Sequence, residues 1–247
     1  MSMKTALKVL TPVLAFVLIA VACGNSNSKT PQVEVQETSP QTEMNEPVKQ
    51  LASTGFDFEN YASGQLPEGW TQYYTGPGGT DWKVVDDRGN KVLAQLYSDN
   101  PNGHFNIIVN DALSMKDMTL SVRIKGVTGN HDQGGGFIWR FIDKDNYYVV
   151  RSNPLEDNMV LYKVENGKRT DLPLIDKGRT YGVDVPTLGD SWHIMKLTVK
   201  DDLFTIYLDG MELFKVQDST FPLAGKIGLW TKADAVSYFD DYVIEKN

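Results

Sequence analysis

The chain is 247 residues long and has a single cysteine, at position 23. Beyond that point there is no thiol, so an intrachain disulfide, cysteine-ligated zinc and thiol catalysis are all excluded from the rest of the molecule. Histidine is almost as scarce. His104, His131 and His193 share no metal-ligand spacing. His193 alternates in phase with Met195, Leu197 and Val199, which predicts a half-buried, hydrogen-bonded ring, while His131 falls in a loop before a glycine run. Helical periodicity is nearly absent. The chain also lacks an excess of positive charge: the formal net charge is -8. Lys4, Lys8, Lys29 and Lys49 offset Glu34, Glu37, Glu43 and Glu46, so the whole excess lies beyond residue 54. A domain of that sign is repelled by phosphate backbones, which excludes nucleic acid as a partner. No phosphate-binding loop is present either. Gly134-Gly-Gly136 leads into a strand pattern rather than a helix, and is expected to let the backbone bend at a sheet edge.

What is present begins with an address. Lys4 and Lys8 precede a short apolar run, Leu10 to Ala22, which is too short to span a bilayer comfortably. Val21-Ala22-Cys23-Gly24 resembles a bacterial lipoprotein lipobox, with cleavage before Cys23 and lipid on its thiol. Ala20 stands where leucine is usual. Residues 1–22 are therefore expected to be a lipoprotein signal peptide. Residues 23–54, rich in Ser, Thr, Pro, Gln, Glu and Asn and free of aromatics, are expected to be a disordered tether. This predicts a lipid-anchored protein of the bacterial cell envelope, on its periplasmic or cell-surface side, touching the membrane through the N-terminal lipid alone.

All five tryptophans and all eleven tyrosines lie beyond Phe56, so the folded domain is expected over residues 55–247. Roughly a dozen short alternating runs follow, separated by turn signals such as Asp86-Asp-Arg-Gly-Asn90, Asn166-Gly167, Asp201-Asp202 and Asp209-Gly210. The pattern predicts an all-β antiparallel sandwich or barrel. Its organising stretch is Gly134 to Arg151, a hairpin around Asp143-Lys-Asp-Asn146. Centring the hairpin on that turn pairs Ile142 with Tyr147, Arg140 with Val149 and Ile138 with Arg151, which puts these six residues on one face. Phe137, Trp139, Phe141, Tyr148, Val150 and Ser152 then form a bulky apolar face directed at the core. In the next strand, Val160, Tyr162 and Val164 are expected toward the core and Lys163 on the face of the two arginines.

The runs Gly-Gly-Gly-Phe-Ile-Trp-Arg140, Asn-Tyr-Tyr-Val-Val-Arg151, Trp192-His193, Tyr207-Leu-Asp-Gly210, Gly225-Lys-Ile-Gly-Leu-Trp230 and Phe239-Asp-Asp241 together resemble the concanavalin A-like lectin/glucanase superfamily. The nearer likeness is to laminin-G-like jelly rolls and to exported domains grouped with family 16 glycoside hydrolases or 3-keto-disaccharide hydrolases. The resemblance implies a jelly roll of two curved sheets, a glycan groove on the concave one, and often a structural Ca2+ on the convex side. Glu59 and Asp240 resemble the metal positions, with Asp241 as an alternate.

On that basis Arg140, Arg151, Lys163, Tyr147 and Trp192 are the expected carbohydrate-binding residues. The guanidinium forks would hold carboxylate or vicinal hydroxyls and the rings would stack on sugars. The Glu-x-Asp-x-(x)-Glu run of family 16 catalysis is absent, and the other acidic pairs fall in predicted turns. A carbohydrate-binding domain without glycosidase chemistry is thus expected. The alternatives are a hydrolase or lyase on 3-keto-glycosides, and an adhesin or partner-binding domain.

Overall fold

The structure is a computed structural model that describes residues 53–247. The predicted leader, Cys23 and nearly all of the predicted tether lie outside the described residues. Sixteen strands follow one another with no helix among the described residues: β1 (Ser53–Phe56), β2 (Trp70–Thr75), β3 (Trp82–Asp87), β4 (Asn90–Gln95), β5 (Phe105–Met115), β6 (Met118–Thr128), β7 (Gly135–Asp143), β8 (Asn146–Asn153), β9 (Asn158–Glu165), β10 (Lys168–Asp171), β11 (Val183–Asp184), β12 (His193–Lys200), β13 (Leu203–Leu208), β14 (Met211–Gln217), β15 (Gly225–Lys232) and β16 (Val236–Lys246). They form two antiparallel sheets. The first runs β14-β13-β12-β6-β16-β4-β3, with β1 also on β16; the second runs β10-β9-β8-β7-β15-β5-β2, with β11 also on β9.

Alternation explains the sandwich. Met118, Leu120, Val122 and Ile124 on β6 and Met195, Leu197 and Val199 on β12 turn inward from the first sheet. Ile108, Phe137, Trp139, Tyr148, Val150, Met159 and Leu161 meet them from the second. The turn chemistry holds as well. β9 and β10 join through Asn166 and Gly167, both at positive φ (52° and 75°), as a two-residue hairpin of this twist requires. Asp143 Oδ1 accepts the amide of Asp145 at 2.8 Å and the Asn146 side-chain amide at 2.9 Å. His193 takes its expected half-buried place, with Asp209 Oδ2 at 2.8 Å from Nδ1 and the Leu188 carbonyl at 3.0 Å from Nε2.

The second sheet departs from the expected register in its central hairpin. Asp143 does pair with Asn146, but beyond the turn the pairs are Trp139 with Tyr148, Ile138 with Val149 and Gly136 with Arg151. A bulge at residues 140–142, with Arg140 at φ 48°, absorbs the difference. Arg140 in the left-handed region interrupts the alternation by one residue, as the other neighbour β15 also shows by pairing Gly228 with Ile138 and Lys226 with Phe141, and this reverses the parity of Arg140 and Phe141. Phe141 therefore leaves the inter-sheet core and packs outward against Tyr147 and Tyr73, at ring-centroid distances of 5.9 and 5.3 Å.

The glycine run also corrects its expected role. β7 is flanked on both sides, by β8 and β15, so it is not an edge. A Cβ on Gly134 would sit 1.8 Å from the Ser152 carbonyl oxygen, one on Gly135 2.4 Å from that of Trp230, and one on Gly136 2.0 Å from that of Val150. The glycines let neighbouring backbones approach closely.

Candidate functional site

The outward face of the second sheet carries a second core. Phe105, Ile107, Val109, Ile138, Phe141, Tyr147, Val149, Val160, Tyr162, Val164 and Trp230 are all buried there. A flat outer face cannot bury its own side chains. Arg169 on β10 shows how this one does. Its guanidinium lies 5.4 Å from the Phe105 ring on β5 and 5.7 Å from the Trp230 ring on β15. In a flat sheet β10 and β5 would stand about 24 Å apart, five spacings of roughly 4.8 Å. The sheet is therefore rolled, and its concave face closes on itself along the middle.

One end of this trough stays open. A cavity of about 470 Å³ is lined by Asn102, Gly103, Phe105, Glu156, Arg169, Tyr181 and Lys232. β10 brings in Arg169 because the two-residue turn pairs it with Val164, on the concave side. The guanidinium stacks 4.3 Å from the Tyr162 ring.

Arg151 supports the floor from below, with only 1% of its surface exposed. It donates to Asn158 Oδ1, to Glu156 Oε2 at 2.7 Å and to the Tyr162 hydroxyl at 3.2 Å. Tyr162 donates onward to the Tyr181 hydroxyl at 3.0 Å. Burial pushes the Tyr162 phenol up, so it keeps its proton and the chain of donors runs one way. Tyr181 accepts at the end of the chain and donates to no group among the described residues. Tyr181 is 47% exposed, stands edge-on to Tyr162 and sits at φ 56°. The following Gly182 is pressed so closely to the Met159 carbonyl oxygen that a Cβ would lie 2.1 Å from it. Non-glycine residues at positive φ carry a backbone cost, and here the result is a tyrosine presented over a pocket.

Across the mouth, Lys232 donates to Asn102 Oδ1 and pairs with the buried Asp132 at 3.2 Å. Asp234 accepts the backbone amides of Asn130 (2.7 Å), His131 (3.0 Å) and Asp132 (3.1 Å), which fixes this loop. Glu156 presents a carboxylate to the pocket. Burial raises its pKa, but Arg151 opposes burial and prevails, with Asn158 helping, and the carboxyl is held below its usual range.

The residues singled out in the sequence are dispersed by the bulge and the roll. Arg151 reaches the pocket floor. Arg140 does not share its face. The Arg140 guanidinium turns to the end of the sandwich, where it donates to the carbonyls of Phe221 (2.8 Å), Lys116 (3.3 Å) and Asp201 and lies 5.6 Å from the Phe204 ring. Lys163 is opposite Tyr148, not Tyr147, and bonds Thr220 Oγ1 at 2.8 Å. Val160, Tyr162 and Val164 accordingly face the concave side rather than the inter-sheet core. Tyr147 is on the concave face but is fully buried, accepting from Trp230 Nε1 at 3.3 Å, and has no surface to offer a sugar. Trp192 belongs to the opposite sheet, under the Arg123 guanidinium at 4.8 Å.

The expected calcium pair does not fit a cation. Asp240 accepts from Asn90 (2.9 Å), Arg123 (3.2 Å) and the Asp241 amide (2.8 Å), and Glu59 accepts the Lys91 amide at 2.9 Å. Calcium wants six to eight oxygen donors. Here the carboxylates face N–H groups and an arginine, and no cluster of three metal-ligating side chains occurs among the described residues.

Two features were missed in the sequence. Arg169 carried a signal, since Lys168-Arg-Thr-Asp171 follows directly on the Asn166-Gly167 turn and so pairs back on the strand before it. Tyr181 carried none, because it sits in an irregular loop.

No family model and no curated protein matches the chain. Solved structures do. The carbohydrate-binding module CBM66 from Bacillus subtilis is similar at 24% identity and TM-score 0.56, over 72% of this chain and 96% of that one. A family 16 endo-glucanase from Bacteroides ovatus is similar at 14% identity and TM-score 0.53, over 77% and 98%. The cellulose-induced protein Cip1 is similar at 14% and 0.54, over 78% and 97%. At such identities the likeness is one of fold: the chain has an antiparallel jelly-roll sandwich, as these structures do.

Proposed function

We propose that this is a lipid-anchored carbohydrate-binding domain that holds the end of a glycan in the open end of its concave sheet. One observation carries the reading. The concave trough is filled along its length by its own apolar and aromatic residues, and a cavity lies open beside Arg169 and Tyr181. A trough closed in the middle cannot seat the interior of a long chain, whereas a pocket of about 470 Å³ takes a terminal sugar or a short oligosaccharide. Its walls suit one: an exposed tyrosine ring to stack on, an outward hydroxyl proton, and the Glu156 carboxylate and Lys232 to meet hydroxyls. That similar folds occur in a carbohydrate-binding module and a glucanase supports the reading at the level of fold.

The pocket favours binding over turnover. A glycosidase needs one carboxylic acid with a raised pKa to protonate the leaving oxygen. Glu156 is shifted the other way, held ionised by Arg151.

The test is calorimetric titration of the soluble domain with a panel of oligosaccharides. Saturable binding is expected, weakened about tenfold in Tyr181→Ala, the scale of one lost stacking contact. Incubation with glycosides and 3-keto-glycosides should yield no product. Release of product would make the protein an enzyme, and absence of binding across the panel would remove the carbohydrate reading. The anchor is tested apart from this: labelled palmitate should enter the wild-type protein and not Cys23→Ser, and equal labelling of both would remove the lipoprotein assignment.

A further inference from the structure

Charge bookkeeping around the pocket leaves one group over. Arg151 pairs with Glu156 at 2.7 Å, Lys232 with Asp132 at 3.2 Å and Arg179 with Asp171 at 2.7 Å. Each pair is locally neutral. Arg169 has no such partner among the described residues. Its side chain makes no hydrogen bond, no carboxylate lies within ion-pair distance, and its Nη1 is buried with nothing to donate to. A buried donor without an acceptor is costly, and more so when it is charged. The aromatic rings of Tyr162, Phe105 and Trp230 hold the guanidinium in place but supply no acceptor. Asp171, two residues along, keeps Oδ2 buried and unbonded, yet its other oxygen is engaged by Arg179 and the two side chains do not meet. In a domain with so many acids, a cation left over in a pocket is a local exception.

We infer that the pocket selects an acidic sugar, a terminal uronic acid residue whose carboxylate lies against the Arg169 fork. The inference rests on the carbohydrate-binding reading and adds the charge of the ligand. A planar carboxylate matches the two-donor edge of a guanidinium, neutralises the single uncompensated charge and gives the orphaned N–H its acceptor. The remaining groups then have complementary tasks. Both hydrogen bonds to Glu156 fall on Oε2, which leaves Oε1 for a sugar hydroxyl, and the Tyr181 hydroxyl donates to another oxygen. Glu156 also repels a carboxylate placed on its own side, so the two charges fix the orientation of the ring.

The experiment compares three forms of one ligand by calorimetry: an oligosaccharide ending in a uronic acid, the same oligosaccharide with that carboxyl reduced to the alcohol, and a neutral oligosaccharide carrying a sulfate ester at its terminus. The acid should bind about tenfold or more tightly than its reduced form, the scale of one charge-assisted, two-donor contact. The preference should shrink as salt is raised. Arg169→Gln should erase the preference while the melting temperature stays near that of wild type, and Arg169→Lys should restore only part of it. Equal binding of acid and reduced forms would overturn the inference and leave the carbohydrate-binding reading standing. Tighter binding of the sulfate ester would overturn the carboxylate assignment. Loss of the preference in Arg169→Gln only through unfolding would be exposed by the melt, and Arg169→Lys, which keeps the charge, then decides: wild-type preference in that variant also counts against the fork. Failure of every sugar, acidic or neutral, takes down the carbohydrate reading itself.

Discussion

Arg140 and Arg169 both hold a guanidinium within 6 Å of an aromatic ring, and they differ in what surrounds the N–H groups. Arg140 is almost wholly buried and closes the end of the sandwich by donating to three backbone carbonyls drawn from three separate loops. Burial pulls its pKa down, with Tyr148, Asp117 and the aspartates at 201 and 202 opposing. Arg169 is partly exposed and donates to nothing in the protein. The first arginine is consumed by the fold and the second is available to a ligand. Arg140 leaves only its Nε without an acceptor, so what singles out Arg169 is a side chain that bonds nothing in the protein, not its presence on a hairpin.

This comparison is broken most directly at Arg140. Replacing it with methionine keeps much of the volume and strands the carbonyls of Lys116, Asp201 and Phe221. At about 1–3 kcal/mol for each buried group left unsatisfied, the loss of stability should reach about 3 kcal/mol or more. Denaturant unfolding measures it, and the folded fraction should bind ligand as wild type does. A loss below about 1 kcal/mol, or a change of affinity without one of stability, would make Arg140 a ligand group after all.

The contrast also shows why the sequence drew attention to Arg140 and passed over Arg169. The two-sheet architecture follows from alternation, because inward residues such as Leu120, Val122, Met195 and Leu197 keep strict period two over whole strands. The turn at Asn166-Gly167 follows from its side chains, and the register of β9 with β10 follows from the turn. The β7–β8 hairpin obeys the same chemistry at Asp143 to Asn146. Its register is nonetheless reset by a bulge that no composition marks, since Arg140 is an unusual residue to hold positive φ. One bulge moved Arg140 to the rim and Phe141 to the concave side. The lysine missed its predicted face for a different reason. Val160, Tyr162 and Val164 are as apolar as Met159 and Leu161, so β9 is buried on both sides and its sequence does not say which face is which. The pocket depends on the roll of the sheet, which brings β10 to β5, strands 60 residues apart in sequence, and no local pattern encodes that contact.

A smaller effect sharpens the contrast between the two outer faces. Trp192 lies half-buried on the first sheet, with the Arg123 guanidinium over its ring at 4.8 Å and Lys125 at 5.9 Å. Its cations are already occupied: Arg123 pairs with Asp240 at 3.2 Å and Lys125 with Asp87 at 3.7 Å. Trp192→Ala should lower stability by about 1 kcal/mol, the range of an exposed cation–aromatic contact plus some lost burial. Its glycan affinity should equal that of wild type, in contrast to Tyr181→Ala. A drop in affinity with Trp192→Ala would place a binding surface on the convex sheet.

The smallest expected effect concerns His193, at the start of β12 in that first sheet. Burial lowers its pKa, but the Asp209 carboxylate and the Leu188 carbonyl outweigh burial and the ring ends above its usual 6.5. A raised folded-state pKa means that protonation is favoured by folding. The stabilisation is fully present below the unfolded value and is lost as pH rises through the folded one. The stability advantage of wild type over His193→Gln should therefore be larger at about pH 5 than at about pH 8. Asp209 is exposed and the pair is screened by solvent, so the change should stay within the ~0–1 kcal/mol of a surface ion pair. Glycan affinity should not follow it, because the residues proposed to meet the sugar line the concave side of the other sheet, and Glu156 there stays ionised across this interval, its pKa being held below the usual carboxylate range. An affinity that tracked the His193 titration would couple the two faces and end the separation between them.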